Sequence, residues 1–553
     1  MESGVASNPT AVSSLIDGLG CSEILAHVLV NRGIATLEAA QRTLDPDLSA
    51  LHDPDGLPEM AHAVQRMVNA IEAGETIAIV GHHDVDGSAG AAILLRVLER
   101  LGATVGYEMP GKWEGHGLNE RIIGHLERRG VDVLIAVDCG TTDHAELHSA
   151  AGRDIDVLIV DHHPPTSGLP DYPCINPQRS SHEYPNRALS ASGVSLKLAE
   201  VLWRERTDRP RTELFARVLP LAAIATVSDQ VNLTRENRAI VRAGFDRVPA
   251  CPIPGIARVV DRYPVRRISD LRWVLIPLLN AGQHDEAGDL LLRLFLETDR
   301  SEIDRMIDRL EAHRAARRDQ RRRALAHVEE CIADQEASTP EACIIVETDK
   351  FVGSVPRMRV AERFGKPTIT YRQTRDGYAG WGNAPGNLDL LDTFRSCEDV
   401  LDEFRGRARS AGFRLHPEHL GAFLDRLRKE IRTRYPDQEE DPHPEIDAHV
   451  QPEELTRGRY TELERLAPFG PGNPQPCVRI DGVRLIERRQ LGRCKDHVAF
   501  EPAASLPCSF LCWNARTVYS GPIPRTYDLV GTIGWDRIAD RPSVEITEMM
   551  DAE

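Results

Sequence analysis

The chain has 553 residues, 41% of them hydrophobic and 27% charged, with a mean hydropathy of −0.33. That balance excludes collagen-like, disordered and small disulfide-stapled classes, and a prior of roughly one domain per 150 residues predicts three or four domains. The 85 acidic residues outnumber the 67 basic ones, for a net charge of −18, which argues against a non-specific nucleic-acid coat protein. A local basic groove, or an acidic site for divalent metal, stays compatible with it. Only six of the basic residues are Lys; the Arg dominance fits a G+C-rich genome and, with the acidic excess, a salt-adapted cytoplasm. No apolar run reaches the roughly 18 residues of a membrane span. The stretch MESGVASNPTAVSS has no basic region followed by an apolar core, so a cytoplasmic protein without membrane association is expected. The 11 cysteines include no CxxC pair and read as free thiols in a reducing compartment rather than a zinc site.

Residues 1–75 read as a helical segment broken by the turn-rich DPDLSALHDPDGLP (45–58). From 76 the pattern alternates: TIAIVG, AGAAILLRVLERLG, VDVLIAVDCG, HAELHSAAGRD, IDVLIVDHH. Strand, helix and strand at this spacing predict a doubly wound parallel sheet in a domain over 76–284, with a further helical section at about 186–245. Residues 285–340 form a charged, periodic stretch expected as a long connecting helix or helix pair. A second α/β unit is predicted over 341–435, beginning at EACIIVETD, with a later strand at KPTITYRQ. Residues 436–465, acidic and Pro-containing at their start, are expected as a linker. Short alternating runs over 466–553 (CVRIDGVRLIERRQL, HVAFEP, SFLCW, YDLVGTIGW, SVEITEM) predict a small oligonucleotide-binding-like barrel. The fold class is α/β: two lobes joined by a long helix, plus the barrel.

Each apolar run of the first sheet ends in a polar cluster, and ligands of open α/β sheets bind at the carboxyl ends of strands. Four such ends carry the informative residues: His82, Asp84, Asp86 and Gly87; Asp138; Asp161, His162 and His163; and Asp229. Alternate residues of an extended chain point the same way, so Asp84 and Asp86 are expected to share an ion pair. Carboxylates and imidazoles without cysteine suit Mg²⁺ or Mn²⁺. Two ions roughly 3.5–4 Å apart, sharing a carboxylate, generate hydroxide and neutralise a phosphate together.

The order DxDG, VDCG, DHH and a later Asp resembles the DHH phosphoesterase superfamily, its RecJ-type exonucleases in particular. The resemblance extends to PGKWEGHGLN, CINPQRSSHEYPNRALSASGVSLKLAEVLW, DQVNLTRENRAIV, LLNAG and LAPFGPGNPQP, and so covers nearly the whole chain. It implies metal-dependent 5′→3′ degradation of single-stranded DNA (with RNA open) in repair, recombination or replication, with replication or repair proteins as further partners. It also implies metal ligation by Asp84, Asp86, Asp138, His162 and Asp229, with Asp161 and His163 orienting the ligand imidazole and meeting the scissile phosphate.

The departures carry information too. A His usual four residues before the Asp-x-Asp is Val80 here, and His82 is expected to replace it as a ligand. In the second lobe the DNA-holding motifs read GWGN (380–383) and RGR (405–407), so that Asn383 stands for an Arg and Arg407 for a His; NAGQ leaves Gln283 where Arg is usual. With Arg238 of the DQVNLTRENRAIV segment, Asn383 and Arg407 are the candidate nucleic-acid contacts. The Arg-rich AHRAARRDQRRR (312–323) reads first as a solvated helix face, GPGNP as a rigid turn, and Trp513, Trp535, Phe500 and Phe510 as core or base-stacking aromatics. Two alternatives stand beside the nuclease: a non-cutting replisome or repair scaffold that keeps the fold, and a phosphodiesterase of short oligonucleotides.

Overall fold

A computed structural model describes residues 8–552 apart from 116, 166–167, 180–182, 336–341, 349–351, 387, 435–444, 492–496 and 514–522. Three short helices open it: α1 (Pro9–Leu19), α2 (Glu23–Asn31) and α3 (Leu37–Leu44). Each begins on a side-chain cap, with Asn8, Ser22 and Thr36 accepting from the backbone N–H three residues on. Helix α4 (Met60–Ala73) then leads into the first sheet.

That sheet is parallel, in the order β2-β1-β3-β4-β5. Its elements run β1 (Thr76–Gly81), α5 (Val85–Arg100), β2 (Thr104–Glu108), α6 (Glu120–Arg128), β3 (Val133–Val137), α7 (His144–Ala151), β4 (Asp156–Val160) and β5 (Cys174–Ile175). Every residue of β3 is buried, which is why it reads as an unbroken apolar run: helices cover both faces of a parallel sheet. Helices α8 (Ala191–Arg206), α9 (Arg211–Ser228), α10 (Arg235–Phe245), α11 (Pro254–Arg262), α12 (Ile276–Leu279) and α13 (Leu290–Leu296) complete this unit. The core binds α5, α8 and α9 to the sheet through residues such as Ile93, Leu94, Val194 and Leu221.

The expected connector is α14 (Arg300–Gln335), one helix of 36 residues and so about 54 Å long at 1.5 Å per residue. The second sheet has the order β6-β7-β8-β10-β9. Its elements are β6 (Ile344–Glu347), α15 (Ser354–Phe364), β7 (Thr368–Thr374), β8 (Gly377–Asn383), α16 (Leu390–Arg395), β9 (Glu403–Arg407), β10 (Ser410–Leu415) and α17 (Leu420–Arg434). Only β6–β7 is parallel; the remaining pairs are antiparallel, a hairpin-built half that the sequence reading does not contain. Alternation along β6 sorts the two faces: Ile344 and Val346 meet Val360 of α15, whereas Ile345 joins Phe394 and Phe423 of α16 and α17.

The third sheet comprises β11 (Ala448–His449), β12 (Cys477–Leu491), β13 (His497–Pro502), β14 (Ser509–Cys512), β15 (Arg525–Asp536) and β16 (Arg541–Asp551). Pairing of β12 with both β13 and β15 closes it into the expected barrel. Phe500 and Phe510 lie in its core and are not free to stack on bases. All nine described cysteines are free and buried.

Two expectations need correcting. The stretch 436–465 is not simply a linker: 435–444 lies outside the described residues, but from Glu445 on the chain forms β11 and α18 (Arg457–Glu464), and Val450, Leu455, Tyr460 and Leu463 pack into the barrel core. The N-terminal helical segment expected over 1–75 is not one unit either: α4 joins the core of the first sheet, whereas α1 to α3 do not. Leu15, Leu25, Val28 and Leu44 share that same barrel core, and Arg32 forks onto Asp447 through Nε and Nη2, each at 2.9 Å. The turn GPGNP works as the rigid device expected: Gly470 and Asn473 exchange backbone hydrogen bonds of 2.9 and 3.0 Å, and Pro471 O accepts from Leu233 N at 2.8 Å.

Candidate metal centre

Asp84 and Asp86 do not alternate along a strand. Strand β1 ends at Gly81, Asp84 is the N-cap of α5, accepting from Gly87 N at 3.0 Å, and Asp86 lies in the first turn of that helix. The expected shared strand face is therefore replaced by a cap that turns the two carboxylates apart. Gly87 makes the turn possible, since a Cβ there would come within 2.4 Å of His82 O. Asp86 is pinned from across the fold: its oxygens accept from Ala191 N (2.7 Å) and Ser192 N (3.0 Å) at the start of α8, where a helix N-terminus favours an anion.

Asp138 directly follows β3 and adopts a left-handed backbone, φ 61°, uncommon for a residue other than Gly, with Asn and Asp the best tolerated. Asp161, His162 and His163 follow β4. Asp161 is buried and knots this loop, accepting from His162 N (2.7 Å), His163 N (3.2 Å), His163 Nδ1 (2.8 Å) and Thr141 N (3.1 Å). It thus holds the second histidine's ring, not the first's, a refinement of the orienting role expected for it. Asp229 caps the C-terminus of helix α9 rather than ending a strand, a correction to the fourth strand end; it still reaches the others.

The ligand atoms form two groups: His82 with Asp84 and Asp138, and Asp86 with His162 and Asp229; His162 and His163 also group with Asp138. His82 Nδ1 lies 3.2 Å from Asp84 Oδ2 and 3.5 Å from Asp138 Oδ2. On the other side His162 Nε2 lies 3.3 Å from Asp138 Oδ1, 3.6 Å from Asp229 Oδ2 and 4.0 Å from Asp86 Oδ2. Asp138 therefore offers one oxygen to each group. Its Oδ1 is buried and, among the described residues, has no hydrogen bond of good geometry, His162 Nε2 standing 3.3 Å off, a costly arrangement for a carboxylate unless a cation completes it. An all-oxygen-and-imidazole donor set fits Mg²⁺ or Mn²⁺, and the acidic and imidazole cluster can hold metal ions.

The protonation pattern says the same. Burial, with Asp138 and Asp229 close by, pushes Asp86 up to about 8, and burial lifts Asp229 to about 6 against the pull of His162. Burial alone would lower His82 and His162, but the carboxylates around them outweigh it and raise both to about 10. Burial acts upward on Asp84 too, yet its hydrogen bond and charge contact with His82 hold it below the usual carboxylate range. Without a cation the cluster holds protons instead. Folded-state values raised above the ordinary imidazole 6.5 mean that the folded chain binds more protons than the unfolded one between about pH 6.5 and 10. The metal-free protein should thus lose stability as pH rises through that window. Ligands must shed their protons to take metal, so Mn²⁺ should raise the melting temperature more at pH 9 than at pH 6.5. Thermal melts in EDTA and in Mn²⁺ across the window check this; a pH-independent Mn²⁺ increment would contradict it.

Several supporting residues escaped the sequence reading. Asn176 donates to Thr141 Oγ1 (3.0 Å) and His163 O (2.8 Å), and Gln178 donates to His162 O (2.9 Å). Their signal was available in the INPQ run after a short strand. The proposed DNA contacts fare differently. Asn383 is fully buried, accepting from Arg357 Nε at 3.0 Å and donating to Ser354 Oγ at 3.3 Å, so it touches no strand. Arg238 is 5% exposed and donates to Thr43 O, Leu466 O and Arg465 O. It is a structural clasp, because each of its three nitrogens donates to a backbone carbonyl and the guanidinium is buried at the seam. Arg407 is exposed on edge strand β9 and makes no ion pair among the described residues; Glu403 is taken by Arg405 (3.8 Å) and Arg414 (3.7 Å). Gln283 spends its amide on Asn280 O at 2.9 Å. No described helix is long and apolar enough to cross a membrane.

A parallel α/β sheet whose strand and helix ends bring two acid–imidazole groups together on one carboxylate, followed by a second α/β lobe and a small barrel, defines a two-lobed α/β protein with a candidate two-metal centre. The DHH family N-terminal domain matches residues 76–226, and the RecJ OB domain matches 446–547. The single-stranded-DNA-specific exonuclease RecJ of Bacillus subtilis is 28% identical over 531 residues, and that of Thermus thermophilus 31% over 471 residues. The alignments cover 93% and 83% of this chain and 66% of each relative, so the chain spans just under two thirds of their length. The crystal structure of RecJ in complex with Mn²⁺ from Thermus thermophilus shares the fold, with a TM-score of 0.78 and 23% identity over 99% of this chain and 78% of that one. The chain is a RecJ-like member of the DHH family.

Proposed function

We propose that the protein is a divalent-metal-dependent phosphodiesterase that degrades single-stranded DNA from the 5′ end, acting in the cytoplasm in DNA repair, recombination or replication. The observation that carries this reading is Asp138, which offers one oxygen to His82 and Asp84 and the other to His162. The names of the curated relatives support the substrate. In this reading His82, Asp84 and Asp138 hold one ion of a Mn²⁺ or Mg²⁺ pair, and Asp86, His162, Asp229 and Asp138 the other. Bound there, the pair supplies a Lewis acid for the phosphate and a water of lowered pKa. The protein's own groups set the geometry. The N-terminus of α8 holds Asp86, the capped start of α5 holds Asp84, and Asp161 turns His163 so that its other ring nitrogen is left for a phosphate oxygen.

The test is direct: end-labelled single-stranded DNA and RNA of several lengths, with the full chain and Mn²⁺, Mg²⁺ or EDTA. Shortening of DNA from the 5′ end only with metal is the expected result. Binding without any cleavage in every metal would favour the scaffold reading, which the burial of Asn383 inside the second lobe supports. Cleavage confined to the shortest substrates would favour the oligonucleotide phosphodiesterase.

Two substitutions probe individual roles. His82→Ala should weaken Mn²⁺ affinity on the order of 10–100-fold, the usual cost of losing coordination support; an unchanged Mn²⁺ titration would return His82 to an ordinary polar loop residue. Arg407→Ala should raise KM and lower the salt slope of DNA binding by about one phosphate contact. Identical slopes in wild type and variant would remove Arg407 from the strand's path.

A further inference from the structure

We propose that the seam between the catalytic unit and the barrel holds a second binding site, for a nucleoside phosphate, separate from the metal centre. A cavity of about 350 Å³ opens between α10, the turn at 266–268, α18 and the end of β15. None of its lining residues belongs to the metal cluster.

The lining chooses the ligand. Arg242, Arg266, Arg267, Arg457 and Arg465 face it together with only two acids, Asp246 and Glu464. Outside the cavity, Asp540 answers Arg267 (3.8 Å) and Arg457 (3.0 Å), and Asp45 answers Arg465 (2.6 Å). Five guanidiniums against four carboxylates leave a positive excess. Arg242 is anchored on Arg465 O and Ala467 O at 3.0 and 3.2 Å, and Arg266 has no ion pair among the described residues. A metal ion is repelled by this set and a neutral apolar ligand wastes it; an anion of one or two charges is matched by it.

The remaining walls are aromatic and apolar. Phe245 and Ile268 line one part, and Trp535 packs against Tyr460 with ring centroids 4.8 Å apart. The guanidinium carbons of Arg267 and Arg457 lie 3.8 and 4.9 Å from the indole centroid, the arrangement that also accepts a nucleobase beside an arginine plane. The volume falls at the lower end of the range of about 300–1,000 Å³ typical of small-molecule sites, matching one nucleotide rather than a longer ligand. Such a nucleotide comes either free in solution or as one unit of a passing strand, and the chemistry recognised is the same.

The test uses the full chain carrying Asp138→Asn, in EDTA, so that neither hydrolysis nor a metal-held phosphate contributes and the outcome is independent of the proposed nuclease activity. Titration with dAMP, with an eight-residue oligodeoxyadenylate and with inorganic phosphate is followed by calorimetry and tryptophan fluorescence. Binding of dAMP or the oligonucleotide is expected, weakened on the order of tenfold by Arg266→Glu, which reverses an exposed charge, and by Thr461→Trp, which fills the cavity, with melting temperatures unchanged. Binding of dAMP assigns a free nucleotide; binding of the oligonucleotide alone assigns a strand. No nucleotide binding at millimolar concentration, binding untouched by both variants, or phosphate binding as tightly as dAMP would each overturn the proposal.

Discussion

Asp138→Asn is expected to lower metal-dependent hydrolysis on the order of 10³–10⁴-fold, up to the roughly 10⁴-fold loss that an Asp→Asn change causes in a catalytic unit. That corresponds to about 4–5.5 kcal/mol of transition-state stabilisation. Asn is the informative replacement because Asp138 sits at φ 61°, a conformation that Asn tolerates and Ala does not. A loss caused by unfolding is thereby separated from a loss of charge. The amide keeps one acceptor oxygen but cannot give an anionic oxygen to both groups of ligands. Circular dichroism and affinity for single-stranded DNA in EDTA should match wild type. Activity within tenfold of wild type in saturating Mn²⁺ would sink the assignment of Asp138 as the shared ligand.

The same residue shows what could be read before the structure. Asp138, His162 and the Asp84/Asp86 pair were legible because each follows a buried parallel strand whose apolar run stops abruptly, and strand ends of one sheet converge. The reason given for Asp84 and Asp86 was wrong even though both reach the cluster. A helix cap and a strand end look alike in sequence, and the groups that pin Asp86 come from Ala191 and Ser192, 105 and 106 residues away. Asp229 was misplaced for a similar reason, since a run of small apolar residues serves a buried helix as well as a strand. His82 was readable as an imidazole in the loop just ahead of Asp84, and the structure groups it with Asp84 and Asp138.

Long-range partnerships were the illegible part. The apolar faces of α1 to α3 announce that something covers them, but nothing in their periodicity says that it is a barrel more than 400 residues away. Contacts such as the pairing of Arg32 with Asp447 and of Asp45 with Arg465, together with the shared core, make that visible. Charge is ambiguous in the same way. Among the arginines of the chain, Arg238 and Arg407 look equally available to a phosphate backbone, yet one is fully engaged inside the protein and the other lies on an exposed edge strand.

Arg238 yields the second large effect, on stability rather than activity. Its guanidinium is buried without a carboxylate partner, and burial lowers it to about 9. It stays because three backbone carbonyls from two distant segments converge on it: Thr43 O at 2.8 Å, Leu466 O at 2.5 Å and Arg465 O at 2.7 Å. Arg238→Met keeps much of the volume but takes the side-chain donor from Thr43 O, whereas Arg465 O keeps Arg242 Nη1 (3.0 Å) and Leu466 O keeps Asn473 Nδ2 (2.8 Å). One buried carbonyl left unsatisfied costs about 1–3 kcal/mol, and with two further hydrogen bonds lost the total should be about 2–4 kcal/mol. Because the clasp ties α10 of the catalytic unit to α3 and to the entry of the barrel, the loss should fall on the seam. Calorimetry should show a first transition, in which the barrel and N-terminal helices melt, moved to lower temperature than in the wild type. Below that first transition, Mn²⁺-dependent cleavage of a dinucleotide should persist, since the metal centre draws no group from α3 or the barrel. If Arg238→Met instead left the melting profile unchanged and weakened DNA binding with a smaller salt slope, the side chain would be a phosphate contact, and the clasp would contribute nothing measurable.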